Sequence, residues 1–365
     1  MTIVFLSEDH MKKNTLLSIM LSSCMIISLA ACASGNSTGP QNSGSEASSD
    51  IPQASAAETT VNAGTDTSSP EEYQPVTITN MDNELVFEKA PEKIVVLSYD
   101  TAEILAALGL EDKVIGLAEA DSSIDDVLPK YRDSVSKMPV IGGLSNGVPS
   151  LEAVLAMGPD FVYGASYSFM EQNAGKAQDY LDSGINVYGS TGTYSDIPTL
   201  EDTYLDIENL GKIFGVEDKA SELINDLKNR VDAINSTEKS DKPLTVFVYD
   251  SEEDAPYTAG GSSLENKIIE LAGGENIYKD LDSDFKSVAW EDVISKNPDV
   301  ILINKYGGEN DVQQKINFLK SMPELAEVTA VKEDHFVSAS MLAVFPSIQN
   351  VEVIEELSEK FNEWK

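Results

Sequence analysis

Two carboxylates are the first residues of this 365-residue chain whose placement suggests chemistry. Glu152 lies in LEAVLAMGPDFVY (Leu151 to Tyr163) and Glu291 in WEDVISKNPDVIL (Trp290 to Leu302). Val154, Pro159 and Asp160 of the first stretch match Val293, Pro298 and Asp299 of the second at the same offset of 139 residues. A carboxylate pair can run glycoside hydrolysis, with one acid protonating the leaving oxygen. Each glutamate, however, falls near the start of a predicted helix, where an acid ordinarily just complements the helix dipole. After His10 the only histidine is His335, inside a predicted strand, where such a side chain is more often packed than catalytic. HExxH, G-x-S-x-G, Walker A and G-x-G-x-x-G patterns are all missing. With no base and no cofactor motif, the residues point to a non-enzymatic binding protein that needs no cofactor.

The binding chemistry then has to come from the predicted strand ends, because ligands of open parallel sheets meet the carboxyl ends of the strands. Tyr99 follows KIVVLS; Tyr163, Tyr167 and Phe169 end or follow DFVYG; Tyr188 and Tyr194 bracket the end of INVYG. In the second half Tyr249 ends TVFVY, Asn304, Lys305 and Tyr306 end PDVILIN, and Met341 and Phe345 follow HFVSAS. Tyrosine-rich ends suit a large, partly apolar ligand with polar edges. Lys305 is the only basic residue among them; Arg132 falls in a polar loop and Arg230 on a long helical stretch. A strongly anionic ligand is normally met by Arg and Lys, so a neutral ligand is favoured.

The elements that would hold these residues alternate. KIVVLS, KVIGLA, DFVYG and INVYGS read as strands, separated by helices at TAEILAALG, at PSLEAVLAMG with Ser150 as N-cap, and around Gln172 to Ser183. Between Thr199 and Asn235 a helical period runs with one brief interruption at Phe214, Gly215 and Val216, and no strand fits. PLTVFVYD, the capped helix in SSLENKIIELAGG, WEDVISKN, PDVILIN, a helix near Asp311 to Lys320, HFVSAS and a last helix from Ile348 to Phe361 repeat the alternation. The prediction is an α/β fold: two similar lobes with mostly parallel sheets, separate cores, a long helical joint and a ligand cleft between them. Residues 75–198 form the first lobe, 199–238 the connection and 239–365 the second lobe.

The N-terminal region is of another kind. Lys12 and Lys13 precede an apolar run from Leu16 to Leu29 that ends in Leu29-Ala30-Ala31-Cys32. A short apolar run closed by small residues and a cysteine resembles a bacterial lipoprotein signal, cleaved before Cys32, whose thiol would be lipidated. Residues 1–31 would then be the signal, with Met11 the natural start because Glu8 and Asp9 suit a signal badly. An uncleaved anchor is the alternative, since about 18 residues can just span a bilayer. Residues 32–74 read as an anchored, Ser/Gly/Thr-rich tether: from Ala33 to Glu72 there is no aromatic residue, Lys or Arg. Forty such residues reach roughly 35 Å. The domain beyond has no cysteine. With 62 acidic against 25 basic residues the chain has a formal charge of −37, which argues against nucleic acid or anionic lipid as a partner of the folded part.

Five stretches, in order, carry a family resemblance: PEKIVVLSYDTAEILAALGLEDKVIGLA, PSLEAVLAMGPDFVYG, LGKIFGVEDKA, YTAGGSSLENKIIELAGGENIYKDL and WEDVISKNPDVILIN. Together they span essentially Val76 to Phe361 and resemble the lipid-anchored substrate-binding proteins of ABC importers for iron complexes (siderophores, haem) and vitamin B12. The resemblance implies a monomer, tied to the membrane through lipid on Cys32, that hands a small-molecule metal complex to a permease dimer with its ATPase. It also implies that Glu152 and Glu291 dock onto basic permease residues, one from each lobe, and that lobe motion is small. A ferric complex is the expected ligand. A corrinoid is the alternative within the family, and an extracellular sensor domain using the same cleft is the alternative outside it. Tyr99, Tyr167, Met341 and His335 are residue types that ligate haem iron, but no spacing singles out a pair.

Overall fold

The computed structural model of the protein describes residues 73–119, 122–142, 147–236, 242–251, 254–306 and 308–364. The expected signal, Cys32 and the tether as far as Glu72 lie outside the described residues. An unexpected antiparallel hairpin comes first, β1 (Val76–Asn80) and β2 (Asn83–Phe87). Its two-residue turn places Met81 and Asp82 at φ 46° and 60°, the backbone that matches the twist of the flanking strands. Asn80 fastens the hairpin to the first lobe by exchanging hydrogen bonds of 2.7 and 2.9 Å with the backbone of Gly189.

The first lobe continues with β3 (Ile94–Val96), α1 (Tyr99–Ala107), β4 (Val114–Leu117), α2 (Pro129–Val135), α3 (Leu151–Ala156), β5 (Phe161–Ala165), α4 (Ala177–Asp182) and β6 (Asn186–Ser190). Ser150 caps α3 as expected, its hydroxyl accepting from the Ala153 amide at 3.3 Å. α4 is shorter than the expected Gln172 to Ser183, because Gly175 at φ 93° breaks the helical path just before it. Arg132 is not in a loop but on α2, donating to the carbonyls of Asp125 and Val127.

The connection is a helical hairpin and not one rod. α5 (Leu200–Phe214) ends on Gly215 at φ 64°, and α6 (Glu217–Asn235) runs back beside it. A Cβ on Gly211 would lie 2.5 Å from that of Ala220, so glycine is what lets the two helices touch. Lys228 of α6 reaches Glu201 of α5 at 3.2 Å. α6, at 19 residues about 28 Å long, is the long helix that meets the second lobe: its Arg230 donates to Glu352 and Glu355.

The second lobe comprises β7 (Thr245–Tyr249), β8 (Tyr257–Ala259), α7 (Leu264–Leu271), β9 (Glu275–Asn276), β10 (Phe285–Ser287), α8 (Trp290–Lys296), β11 (Val300–Lys305), α9 (Gly308–Ser321), α10 (Thr329–Lys332), β12 (Phe336–Ser340), α11 (Met341–Val344) and α12 (Asn350–Glu363). The large sheets are parallel and ordered β4-β3-β5-β6 and β9-β7-β11-β12. Counted within each lobe both orders read second, first, third, fourth, so the repeat seen in LEAVLAMGPDFVY is a repeat of architecture. β8 and β10 form a separate antiparallel pair.

Alternate strand residues face opposite layers. Ile94, Val96, Phe161 and Tyr163 face one core, Val95 and Val162 another; Val246, Val248, Val300 and Leu302 face the first core as well, Phe247 and Ile301 a third. The inner cores of the lobes are therefore not separate. They merge into one cluster with the apolar faces of α5, α6 and α12. Among the described residues no helix is long and apolar enough to cross a membrane.

Candidate functional site

Parallel strands deliver their carboxyl ends to one edge of each sheet, and there the chain leaves large apolar side chains in solvent. Nine large hydrophobic residues are exposed among those described; six of them, Tyr167, Met170, Tyr194, Ile197, Tyr257 and Tyr306, lie in segments that follow β5, β6, β7 and β11. Such clustering at one edge makes it the candidate binding surface, whereas scattered exposed residues carry no such signal. The two lobes approach each other at this edge. The rings of Tyr167 and Phe345 are 6.4 Å apart, and Lys305 Nζ is 3.5 Å from the carboxylate of Asp126. Gln349 Nε2 crosses from the second lobe to donate to Glu103 at 2.7 Å and to the Asp126 carbonyl at 3.0 Å. Gly192 lies so close to Pro346 that a Cβ there would be 2.6 Å from its ring.

The expected ligand residues divide accordingly. Tyr167, Tyr194, Tyr306, Lys305, Met341 and Phe345 stand at the inter-lobe edge, exposed or half-buried. Tyr194 accepts from Asn80 Nδ2 at 3.1 Å. Tyr163, Phe169 and Tyr249 are corrections: all three are core residues. Tyr163 is fully buried against Tyr188, centroids 5.6 Å apart. Phe169 packs edge-on to Tyr180 in the outer core of the first lobe, and Tyr249 packs among Phe247, Trp290 and Phe318. Tyr99 begins α1 with its ring buried, and its hydroxyl donates to the exposed carboxylate of Glu119 at 2.6 Å. Burial and then that carboxylate push its phenol well above the ordinary range. His335 stacks on Trp364 at 4.3 Å, with Nδ1 3.1 Å from the Asp299 carbonyl.

Asn304 is buried and belongs to a polar nest under Tyr306. Its Nδ2 donates to Asp250 Oδ1 at 3.0 Å, the Tyr306 hydroxyl donates to the same oxygen at 2.8 Å, and Ser251 donates to Oδ2 at 2.9 Å. Three donors on one carboxyl is the hydrogen-bond set of a carboxylate. Lys315 donates to the main-chain carbonyls of Asp250 and Asn304 and pairs with Asp311 at 3.4 Å. Beside them Glu265, second residue of α7 and buried, has no hydrogen-bond partner on either oxygen, and Asn304 Oδ1 has none either. Burial, then the charge of Asp250, push the Glu265 carboxyl up to about 8, against a lowering by the nearby Asn304 amide. Glu265 is therefore protonated at neutral pH.

A second buried acid lies where the lobes meet. Glu103 accepts from the Leu128 amide at 2.8 Å as well as from Gln349, and burial pushes it up to about 7. Asp206 is raised to about 7 by burial and takes hydrogen bonds from Tyr188 and from the Thr191 backbone and hydroxyl; it anchors the turn after β6 onto α5. Among the described residues no group of three or more His, Cys, Asp and Glu side chains is arranged to hold a metal ion.

Glu152 and Glu291 are both exposed, each in the first turn of the helix that leads into the third strand of its sheet. A helix that returns antiparallel to such a strand starts at the strand's carboxyl edge, so both acids stand on the cleft-side face, one per lobe. The Glu152 carboxylate is held below its usual range by its own backbone N–H and the Ser150 hydroxyl. Sequence reasoning missed Tyr257, whose ring stacks on Phe285 at 5.7 Å and 21°, together with Met170 and Ile197. Three-residue strands such as β8 and β10 show no readable alternation.

A family model described as periplasmic binding protein matches residues 94–340. The chain is 28% identical over 293 residues to YvrC, an uncharacterised ABC transporter substrate-binding lipoprotein of Bacillus subtilis, covering 79% of this chain and 86% of that one. It is 25% identical over 253 residues to a vitamin B12-binding protein of Yersinia pestis, covering 69% and 82%. A solved structure of an ABC-type Fe3+-hydroxamate transport system from Saccharomonospora viridis superposes with a TM-score of 0.65 at 26% identity, over 79% of this chain and 99% of that one.

Proposed function

This chain belongs to the periplasmic binding protein family, and from that premise we propose that it is the extracytoplasmic substrate-binding component of an ABC importer, tethered through lipid on Cys32. It captures a metal-centred organic complex in the inter-lobe cleft and carries out no bond chemistry. A ferric siderophore or haem is the first reading for the ligand; the similarity to a vitamin B12-binding protein favours a corrinoid as the second. One observation carries the proposal: two sheets of identical strand order direct their exposed aromatic side chains to a common edge, where Tyr167 of one lobe faces Phe345 of the other. Aromatic walls of this kind suit a broad complex with apolar faces.

Glu152 and Glu291 are the two contacts with the permease. One exposed acid per lobe, placed equivalently, lets a symmetric pair of permease cations read both lobes at once. The test is titration of the purified protein, followed by tyrosine and tryptophan fluorescence, with a ferric hydroxamate, a ferric catecholate, haem and cobalamin. At least one should quench with saturation. Glu152→Ala and Glu291→Ala should leave that titration unchanged and lower uptake of the bound complex by cells, the double variant more than either. Loss of ligand binding in the glutamate variants, or saturation by none of the four complexes, would overturn the reading.

A further inference from the structure

We infer that the cleft takes a neutral or cationic ligand carrying hydrogen-bond donors and discriminates against anions, and that Asp126 and Asp250 set this preference. The inference rests on the reading of the cleft as the ligand site and narrows the ligand class, against haem with its two propionates and against anionic siderophore complexes.

The cations at the strand ends are already engaged by the protein itself. Lys305, on the second lobe, is paired with Asp126 of the first lobe at 3.5 Å, and both side chains are largely withdrawn from solvent, at 18% and 12% exposure. Lys315 is turned inward onto the main-chain carbonyls of Asp250 and Asn304 and onto Asp311, and is 13% exposed. An anion entering the cleft would have to displace a carboxylate to reach either ammonium. The exposed Glu119 carboxylate beside Tyr99 adds a negative charge on the first-lobe side.

The polar groups point the same way. Tyr306 is 46% exposed, but its hydroxyl hydrogen is directed at Asp250 at 2.8 Å, so the atom it offers to a ligand is an oxygen with lone pairs. Asn304 fixes this arrangement by donating to the same Asp250 oxygen. Its own carbonyl oxygen, fully buried beneath Tyr306, has no partner. The second-lobe wall thus presents the Tyr306 oxygen as an acceptor. Between low-dielectric walls an excess of like charge is amplified and not averaged away, so a ligand with outward N–H groups is held and one with outward carboxylates or catecholate oxygens is repelled.

A matched series isolates charge from shape: a ferric trihydroxamate with a pendant ammonium, the same complex N-acetylated and neutral, and the same complex succinylated to an anionic carboxylate. Cobalamin and its monocarboxylate form a second, independent pair. The neutral or cationic member of each series should bind about tenfold tighter than its anionic counterpart at low ionic strength, with the gap closing at high salt. Asp126→Asn, which removes the carboxylate paired with Lys305, should bring the anionic member to within about twofold; Glu119→Gln, which removes a second carboxylate on the first-lobe side, should narrow the gap in the same direction. An anionic member that binds as tightly as its neutral partner overturns the inference while leaving the cleft reading intact. If neither series nor haem binds at all, the cleft reading fails and the inference falls with it.

Discussion

Replacing Glu265 by glutamine should stabilise the protein, by an amount set by its surroundings. The side chain is 1% exposed and neither oxygen has a partner, while burial and Asp250 raise its carboxyl from 4.5 to about 8. A folded-state value above the unfolded one means that the native protein binds the proton more tightly. The contribution of Glu265 to stability is therefore complete below about pH 4.5 and is lost as pH rises through about 8. At 1.36 kcal/mol per unit, keeping the proton at pH 7 costs about 3 kcal/mol relative to an unfolded, ionised glutamate. Glutamine has the same shape, no proton to hold and an amide that can donate to the orphaned Asn304 Oδ1. Glu265→Gln should raise the unfolding free energy by about 3 kcal/mol at pH 7, more near pH 8 and by almost nothing near pH 4.5. Urea denaturation of both proteins at these three pH values measures it through the midpoint. A variant less stable than the parent at pH 7, or a gain independent of pH, would show that folding does not raise the Glu265 carboxyl.

Two further substitutions probe the core and the lobe contact. Tyr163→Phe removes a fully buried hydroxyl that lacks a hydrogen-bond partner, beside a Ser190 hydroxyl that lacks one too; stability should rise by up to about 1 kcal/mol, and ligand titrations should not change, whereas a binding defect would return Tyr163 to the cleft. Gln349→Ala strips a donor from Glu103 and from the Asp126 carbonyl and should lower stability by about 2 to 3 kcal/mol near pH 8. The loss should shrink near pH 6, where Glu103, raised to about 7, is protonated and needs that donor less; an equal loss at both pH values, by urea denaturation, would contradict the inter-lobe hydrogen bond.

The repeat was legible because it is written twice in residues with strong local preferences. Ser150 before an apolar period, Gly109 and Gly215 at φ near +65°, and uninterrupted Val/Ile runs specify helix start, helix stop and buried strand without help from the rest of the chain. The β1–β2 hairpin was not legible, since its turn forces Met81 into a left-handed conformation that methionine rarely adopts. Nothing local announces it; the exchange between Asn80 and Gly189, more than a hundred residues away, holds it in place. The fold-back of α6 on α5 is similar. Gly211 looks like a mild helix weakness in sequence, and only the approach of Ala220 shows that it is the contact point of two helices. That fold-back in turn merges the inner cores: α5 packs on β6 of the first lobe, α6 on α7 and α12 of the second, and their apolar faces belong to one cluster.

The cleft was half legible, for a geometric reason. Strands of a parallel sheet are buried on both faces, so no polar alternation tells an interior aromatic from a terminal one. Tyr163 and Tyr188 are directly opposed in the β5–β6 register and point into the shared core, and Tyr249, the last residue of β7, points into the core of the second lobe. Tyr167, Tyr194 and Tyr306 lie past the last residue of β5, β6 and β11, where the chain has left the sheet and a side chain can no longer be sandwiched. The position of an aromatic residue relative to the final ladder hydrogen bond therefore decides between core and cleft, and a boundary uncertain by one or two residues is enough to misplace it. Phe169, past the end of β5 yet buried, shows the remaining condition: the chain bends back there, Ala174 donating its N–H to the Ser168 carbonyl, and carries the ring under Tyr180. Only tertiary contact separates it from Tyr167 two residues earlier, so the ligand-facing set is fixed by how each loop leaves its strand and not by residue type.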